Sequence, residues 1–70
     1  METDDISKEL GQKIRKVREN KGLSQEKVAL EASLNRAYIG YIERGERNPS
    51  IKTVSKIARV LKTPLYELFR

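Results

Sequence analysis

The chain has 70 residues, of which 15 are lysine or arginine and 10 are aspartate or glutamate, so its net charge near neutral pH is +5. It contains neither cysteine nor histidine, and this argues against a disulfide framework, a metal site and the usual catalytic nucleophiles and bases, and so against an enzyme. A chain this short buries only about 60% of the surface that its unfolded form exposes, so we expect one small domain whose stability depends partly on partner subunits.

The first ten residues, METDDISKEL, differ in charge from the rest of the chain. They carry one lysine against four carboxylates, a net charge of −3, whereas residues 11–70 carry 14 basic and six acidic residues, a net charge of +8. The segment is unlike a signal peptide or a membrane span, so we expect a cytoplasmic protein with no membrane partner. Residues 1–5 are interpreted as a flexible acidic N-terminus, with a contact to RNA polymerase as a minority alternative, and residues 6–70 as a single domain. A basic body of this kind favours polyanions such as nucleic acid.

The first predicted helix carries an apolar stripe in a segment otherwise rich in lysine and arginine, formed by Leu10, Ile14 and Val17. Their spacing of four and three residues is that of one helix face. The helix should end near Asn20 or Lys21, because Gly22 can adopt the left-handed conformation that closes a helix.

The next two predicted helices are joined by a very short turn. Ser24 is a good N-cap for the second helix, which should run to about Ala32. Only Ser33 and Leu34 separate it from a third helix, which Asn35 would cap and Gly45 would end. Two helices joined so tightly indicate a helix-turn-helix.

The fourth predicted helix follows the loop GERNP and is capped by Ser50, and its apolar residues repeat at helical spacing: Ile51, Val54, Ile57, Ala58 and Leu61. Thr63 and Pro64 then predict the cap and first position of a short fifth helix, LYELF. No stretch alternates with a period of two over the length of a strand. The predicted fold class is all-α, a compact five-helix bundle that contains the helix-turn-helix.

The third helix has two contrasting faces. Ile39 and Ile42 repeat at a spacing that a helix can bury, and the residues expected on the opposite, exposed side are Arg36, Ala37, Gly40, Tyr41 and Arg44. Small residues on that side let the helix backbone approach another surface. A DNA major groove admits a helix, and an arginine such as Arg36 can bind the O6 and N7 atoms of guanine. The alternatives without a DNA-binding role are that the arginines are solvated surface charges and that the tyrosines are partly packed against the core.

The segment LSQEKVALEASLNRAYIGYIERGERNPSIKTVSKIARVLKTPLYELF resembles the Xre-type helix-turn-helix family of phage repressors and Cro, which has the lambda-repressor-like fold. The likeness covers nearly all of residues 10–69 and depends on Gln25, Ala29, Ile39 and the ending Ile42-Glu43-x-Gly45. Within that family, LNRAYIGYIERGERNPS is most similar to the controller proteins of restriction-modification systems. Those are small dimers that bind DNA and regulate transcription of the endonuclease gene and of their own gene.

The resemblance implies a role for each residue that matches the family pattern. Gln25 would contact a DNA phosphate and brace the recognition helix, while Arg18 and Glu43 match a pair that forms a salt bridge in some relatives. Base-facing positions are occupied by Arg36, Ala37 and Tyr41, and positions near phosphates by Tyr38, Arg44 and Asn48.

Two positions depart from the family pattern. Ser33 stands where glycine is common, so the turn must form without the freedom of glycine. Ala37 offers no hydrogen bond to a base, although an apolar contact to a thymine methyl group remains open.

The C-terminal end carries more apolar side chains than short helices need for their own packing: Leu65, Leu68 and Phe69. They either complete the core or form an interface, and the resemblance implies a symmetric dimer there. Two recognition helices would then face successive major grooves about 34 Å apart, on a pseudo-palindromic operator.

The sequence therefore predicts a sequence-specific regulator of transcription that binds double-stranded DNA as a homodimer, without cofactor or metal. The resemblance also implies control by protein concentration. The alternative is a protein-interaction module, antitoxin-like or a regulatory partner, that uses the helix-turn-helix as a docking surface.

Overall fold

The computed structural model describes residues 2–70, with side chains from residue 6 onward, and all regular secondary structure in this part of the chain is helical. It contains α1 (Glu2–Asn20), α2 (Gln25–Ala32), α3 (Arg36–Glu43), α4 (Ile51–Leu61) and a 3-10 helix (Leu65–Phe69). The all-helical prediction is confirmed. Met1 and the side chains of residues 2–5 lie outside the described residues. The backbone of residues 2–5, part of the predicted flexible acidic N-terminus, belongs to the first turn of α1.

Three helices start at the residues that the sequence predicts as caps. The Ser24 Oγ accepts a hydrogen bond from the backbone N–H of Lys27 at 3.0 Å, and the Asn35 Oδ1 accepts one from Ala37 at 2.7 Å. Ser50 begins α4 in the same way. Each cap satisfies an N–H group that has no partner within its own helix, and so fixes where the helix begins.

The chain reverses at four residues with left-handed backbone conformations. Gly22 and Gly45 have φ angles of 72° and 77°, and Ser33 and Lys62 have φ angles of 58° and 54°. The two glycines follow α1 and α3, as predicted. Ser33 confirms that the turn of the helix-turn-helix forms without glycine, in a conformation that costs a residue with a side chain about 1–2 kcal/mol.

The core lies where the helices meet. α3 packs against both α1 and α2, α2 also packs against α4, and the 3-10 helix closes the base of the bundle against α1 and α4. The buried residues of this core are Leu10, Ile14, Val28, Ala29, Ile39, Ile42, Val54, Ile57, Ala58, Leu61 and Leu68. α3 is thus held from two sides, with its remaining face open to solvent.

The C-terminal segment differs from the prediction in three respects. The fifth helix is a 3-10 helix of five residues, not an α-helix. Thr63 does not cap it, because the Thr63 hydroxyl donates instead to the carbonyl of Leu61 at 3.1 Å. For Leu68 the sequence left two roles open, core or dimer interface, and the interface role is wrong: the side chain is only 1% exposed and belongs to the core. A single turn of helix is enough to fold Leu68 back against α1 and α4.

Helical periodicity does not identify which apolar residues of the C-terminal half are exposed. Ile51 continues the apolar pattern of α4, yet it is 62% exposed because it lies in the first turn, beyond the edge of the core. Tyr66 and Phe69 are also largely exposed, whereas Leu65 packs partly against the core. The surface formed by α4 and the 3-10 helix therefore carries three large apolar side chains, Ile51, Tyr66 and Phe69.

Candidate nucleic-acid interface

The solvent face of α3 carries the side chains that the sequence predicts to meet DNA bases. Arg36 and Ala37 are exposed in the first turn of the helix, and Tyr41 is exposed one turn later. Arg36 takes part in none of the ion pairs formed among residues 6–70. Its guanidinium group is therefore available to a ligand.

Behind this face, a buried ion pair joins α3 to α1. The Nε of Arg18 donates to Oε2 of Glu43 at 2.6 Å, and its Nη2 donates to Oε1 of Glu43 at 3.1 Å. The third nitrogen, Nη1, donates to the carbonyl of Leu23 at 2.7 Å, in the segment that connects α1 to α2. The two side chains are 10% and 2% exposed. A bidentate pair with this little contact with water holds the end of α3 in a defined orientation.

The same carboxylate also fixes the start of α2. The Nε2 of Gln25 donates to Oε1 of Glu43 at 2.9 Å. The chain Arg18, Glu43, Gln25 thus connects three helices by side-chain hydrogen bonds. The amide nitrogen of Gln25 carries a second hydrogen that this contact does not use.

The end of α3 carries a second polar group, here called the Tyr41 cluster: Tyr41, Arg44, Glu46 and Arg47. The guanidinium carbons of Arg44 and Arg47 lie 5.2 and 5.1 Å from the centre of the Tyr41 ring, a distance typical of cation–π contacts. Arg44 donates through Nε and Nη2 to the two carboxylate oxygens of Glu46, at 3.1 and 3.3 Å. This hydrogen bond raises the pKa of Arg44, so the guanidinium stays charged.

Gly40 lies between the buried network and the Tyr41 cluster. The sequence predicts it on the exposed face, and this is wrong: the residue is buried. A Cβ atom placed on it would lie 3.1 Å from the Nη1 of Arg44 and 3.7 Å from the Oε1 of Gln25. Polar side chains from α2 and from the end of α3 therefore cover the middle of α3, and helical periodicity alone does not reveal such a cover.

The other residues predicted near phosphates lie at the edges of this surface. Tyr38 is partly buried and packs against the core, and Asn48 is exposed in the loop before α4. Arg47 is a residue that the sequence analysis did not single out. It lies outside α3, but the left-handed Gly45 turns the chain back so that Arg47 reaches the Tyr41 ring. The segment ERGER, with four charged residues around one glycine, is the only sequence signal for it.

The described part of the chain shows neither a membrane-spanning helix nor a metal site. Within residues 2–70 no helix is both long and apolar enough to cross a membrane. Among the side chains of residues 6–70, no group of acidic residues is arranged to hold a metal ion. Basic and aromatic groups on α3 and the following loop remain the chemically distinctive surface.

Comparison with known proteins agrees with this geometry. Residues 14–68 match the helix-turn-helix family. The control protein C.BamHI from Bacillus amyloliquefaciens is 47% identical over 60 residues, which cover 84% of this chain and 74% of that protein. The crystal structure of the restriction-modification controller protein C.AhdI from Aeromonas hydrophila superimposes with a TM-score of 0.88 at 43% identity, covering 90% of this chain and 96% of that chain.

A further solved structure is that of SinR, a master regulator for biofilm formation, in complex with DNA. It has a TM-score of 0.83 at 34% identity and covers 87% of this chain and 98% of that chain. The likeness therefore extends over nearly the whole of both proteins. The chain belongs to the helix-turn-helix family, and it is similar over most of its length to controller proteins of restriction-modification systems.

Proposed function

We propose that this protein is a sequence-specific regulator of transcription that binds double-stranded DNA as a homodimer and serves as the controller of a restriction-modification system. The observation that carries the proposal is the solvent face of α3. It presents Arg36, Ala37 and Tyr41 outward, on a helix that a buried ion pair fixes to α1. A rigid helix with such a face is suited to reading base edges in a major groove.

Contacts to the DNA backbone would surround this face. Side chains of Gln25 and Arg44 both reach Gly40, Arg47 lies beside Tyr41, and Asn48 is exposed in the following loop. Such contacts set the orientation of the protein on the duplex, whereas Arg36, Ala37 and Tyr41 would determine sequence preference. Tyr38, partly packed in the core, is assigned a phosphate contact through its hydroxyl.

The dimer is proposed to form through α4 and the 3-10 helix. Ile51, Tyr66 and Phe69 expose 62%, 64% and 50% of their surface, and Leu65 lies beside them in the chain. Large apolar side chains exposed on two elements that pack against each other are typical of an interface. A symmetric dimer would place two α3 helices about 34 Å apart, so the operator should be a pseudo-palindrome.

The similarity to controller proteins supports the choice of a regulatory role. C.BamHI and C.AhdI are control or controller proteins by name, and SinR has been crystallised in complex with DNA. We expect such a regulator to be controlled by its own concentration, through dimerisation.

A competition titration tests the proposal. The protein is added to a labelled duplex that carries its preferred sequence, and unlabelled duplex of random sequence is then added at roughly physiological salt. We expect a preference of at least about 1,000-fold for the specific duplex. Equal affinity for the two duplexes would contradict the proposal and would favour a protein-interaction module that binds DNA only through its charge.

A further inference from the structure

α1 and the end of α3 meet at two glycines, one on each side of the contact. Gly11 is buried in the middle of α1. A Cβ atom placed on it would lie 2.8 Å from the carbonyl oxygen of Glu43 and closer still to that of Ile42. Both oxygens belong to the backbone, so neither can rotate away. Glycine is therefore what lets α1 lie this close to the last turn of α3.

Gly45 faces α1 in the opposite sense. It follows α3 with a φ angle of 77°, and a Cβ atom on it would lie 2.9 Å from the Cα and 3.2 Å from the backbone nitrogen of Lys8. Lys8 lies about one turn of α1 before Gly11. Each side of the contact thus presents a glycine to the backbone of the other. The buried ion pair of Arg18 and Glu43 joins the same two helices about two turns further along α1.

Backbone contact holds a helix more strictly than side-chain packing does. A side chain that meets a neighbour can change its rotamer, whereas a backbone carbonyl moves only with its helix. Attachment at Lys8, Gly11 and Arg18 leaves α3 little freedom to tilt relative to α1. The exposed face of α3 belongs to the same short helix, so its direction depends on where α1 lies.

We propose that Gly11 and Gly45 are positioning residues for sequence recognition: they allow backbone contact between α1 and the end of α3, and this contact sets the angle at which Arg36 and Tyr41 meet DNA. The inference rests on the proposed function. Base contacts require a geometry held to within about 0.5 Å, whereas attraction to the phosphates depends mainly on charge. Loss of the contact should therefore reduce the preference for one sequence and spare the affinity for DNA in general.

Gly45→Asn and Gly22→Asn form a matched pair of variants. The two glycines have φ angles of 77° and 72°, a conformation that asparagine tolerates better than most residues with a side chain. A Cβ atom at Gly22 would have no atom within 4 Å, whereas one at Gly45 would press on the backbone of Lys8. The cost of the left-handed conformation is common to both variants, so a difference in DNA recognition between them reports the contact with α1.

Competition titrations measure the ratio of the affinities for the preferred duplex and for random duplex, at a temperature where circular dichroism shows each variant to be folded. We expect Gly45→Asn to lower this ratio by about tenfold, comparable to one mismatched base pair. Its affinity for random duplex should stay within about twofold of the wild type, because its charge is the same. Gly22→Asn should keep the wild-type ratio.

Gly11→Ala tests the other half of the contact. The new methyl group would meet two backbone carbonyls, so α1 and α3 must move apart and the thermal midpoint should fall. Residual dipolar couplings of the backbone amides should show a changed angle between α1 and α3 and an unchanged angle between α2 and α4. If Gly11→Ala does not fold, the variants at Gly45 and Gly22 still decide the question.

Three results would overturn the proposal. In the first, Gly45→Asn keeps the wild-type ratio of affinities. In the second, Gly22→Asn lowers the ratio as much as Gly45→Asn does. In the third, Gly45→Asn weakens binding to both duplexes equally, which would indicate lost phosphate contacts and not a changed angle of α3. Failure of the wild type to prefer its own duplex would instead refute the proposed function.

Discussion

The buried pair of Arg18 and Glu43 allows the most direct prediction about stability. In Arg18→Met, the carboxylate of Glu43 would stay buried, with a side chain 2% exposed, and would keep only the hydrogen bond from Gln25. Loss of one partner of a buried pair costs about 3–5 kcal/mol. A domain of 70 residues has a total stability of about 4–10 kcal/mol, so this one change should remove a large part of it.

A second substitution should restore much of that loss. In Arg18→Met with Glu43→Leu, no charge remains buried, and stability should return to within about 1–2 kcal/mol of the wild type. The residual deficit follows from the carbonyl of Leu23, which loses the hydrogen bond from Arg18 that it accepts at 2.7 Å. Recovery by an apolar pair is the specific signature of an uncompensated buried charge.

Urea unfolding followed by circular dichroism measures these differences, at one fixed protein concentration because the proposed dimerisation would contribute to stability. Arg15→Met is the control: Arg15 pairs with Glu19 on the surface, with side chains 61% and 53% exposed, and should cost less than about 1 kcal/mol. The reasoning is refuted if Arg18→Met is no more destabilising than Arg15→Met, or if the double variant is no more stable than Arg18→Met.

Three further predictions concern the turn, the bases and the dimer. Ser33→Gly should raise stability by about 0.5–1 kcal/mol in the same unfolding assay because φ is 58°, and a loss of stability would contradict the strain at this turn. Arg36→Ala should cost about 1–3 kcal/mol of binding free energy on the preferred duplex and relax the preference at one base pair. If a titration shows the same loss of affinity on a random duplex, Arg36 contacts only a phosphate. Tyr66→Asp should weaken dimerisation by about tenfold or more in sedimentation equilibrium. Leu30→Glu, at an exposed residue of α2, should leave the dimer intact, and the same loss in both variants would argue against the proposed interface.

Local chemistry made much of this fold predictable. Ser24, Asn35 and Ser50 were identified as helix caps because each has a side-chain oxygen directly before an amphipathic segment. The left-handed glycines after α1 and α3 were predicted for the same kind of local reason. Caps and reversals involve only neighbouring residues, and their signals therefore lie within a few positions in the sequence.

The sequence predictions were wrong or incomplete where tertiary contacts determine which residues are buried or brought together. Leu68 was assigned to either the core or an interface, because a segment of five residues is too short for periodicity to identify its buried face. Gly40 was placed on the exposed face, although polar side chains from other positions cover it. Arg47 was not singled out because it lies in a loop, and only the turn at Gly45 brings it to Tyr41. In each case the deciding contact joins residues that no periodic pattern relates.

The most direct measurement of the central claim is a selection of bound sequences from a pool of random duplexes at roughly physiological salt. A dimer with two α3 helices in successive major grooves should enrich a pseudo-palindrome whose half-sites are about one helical turn apart. Recovery of no common sequence would contradict sequence-specific binding, and recovery of a single asymmetric half-site would contradict the dimer.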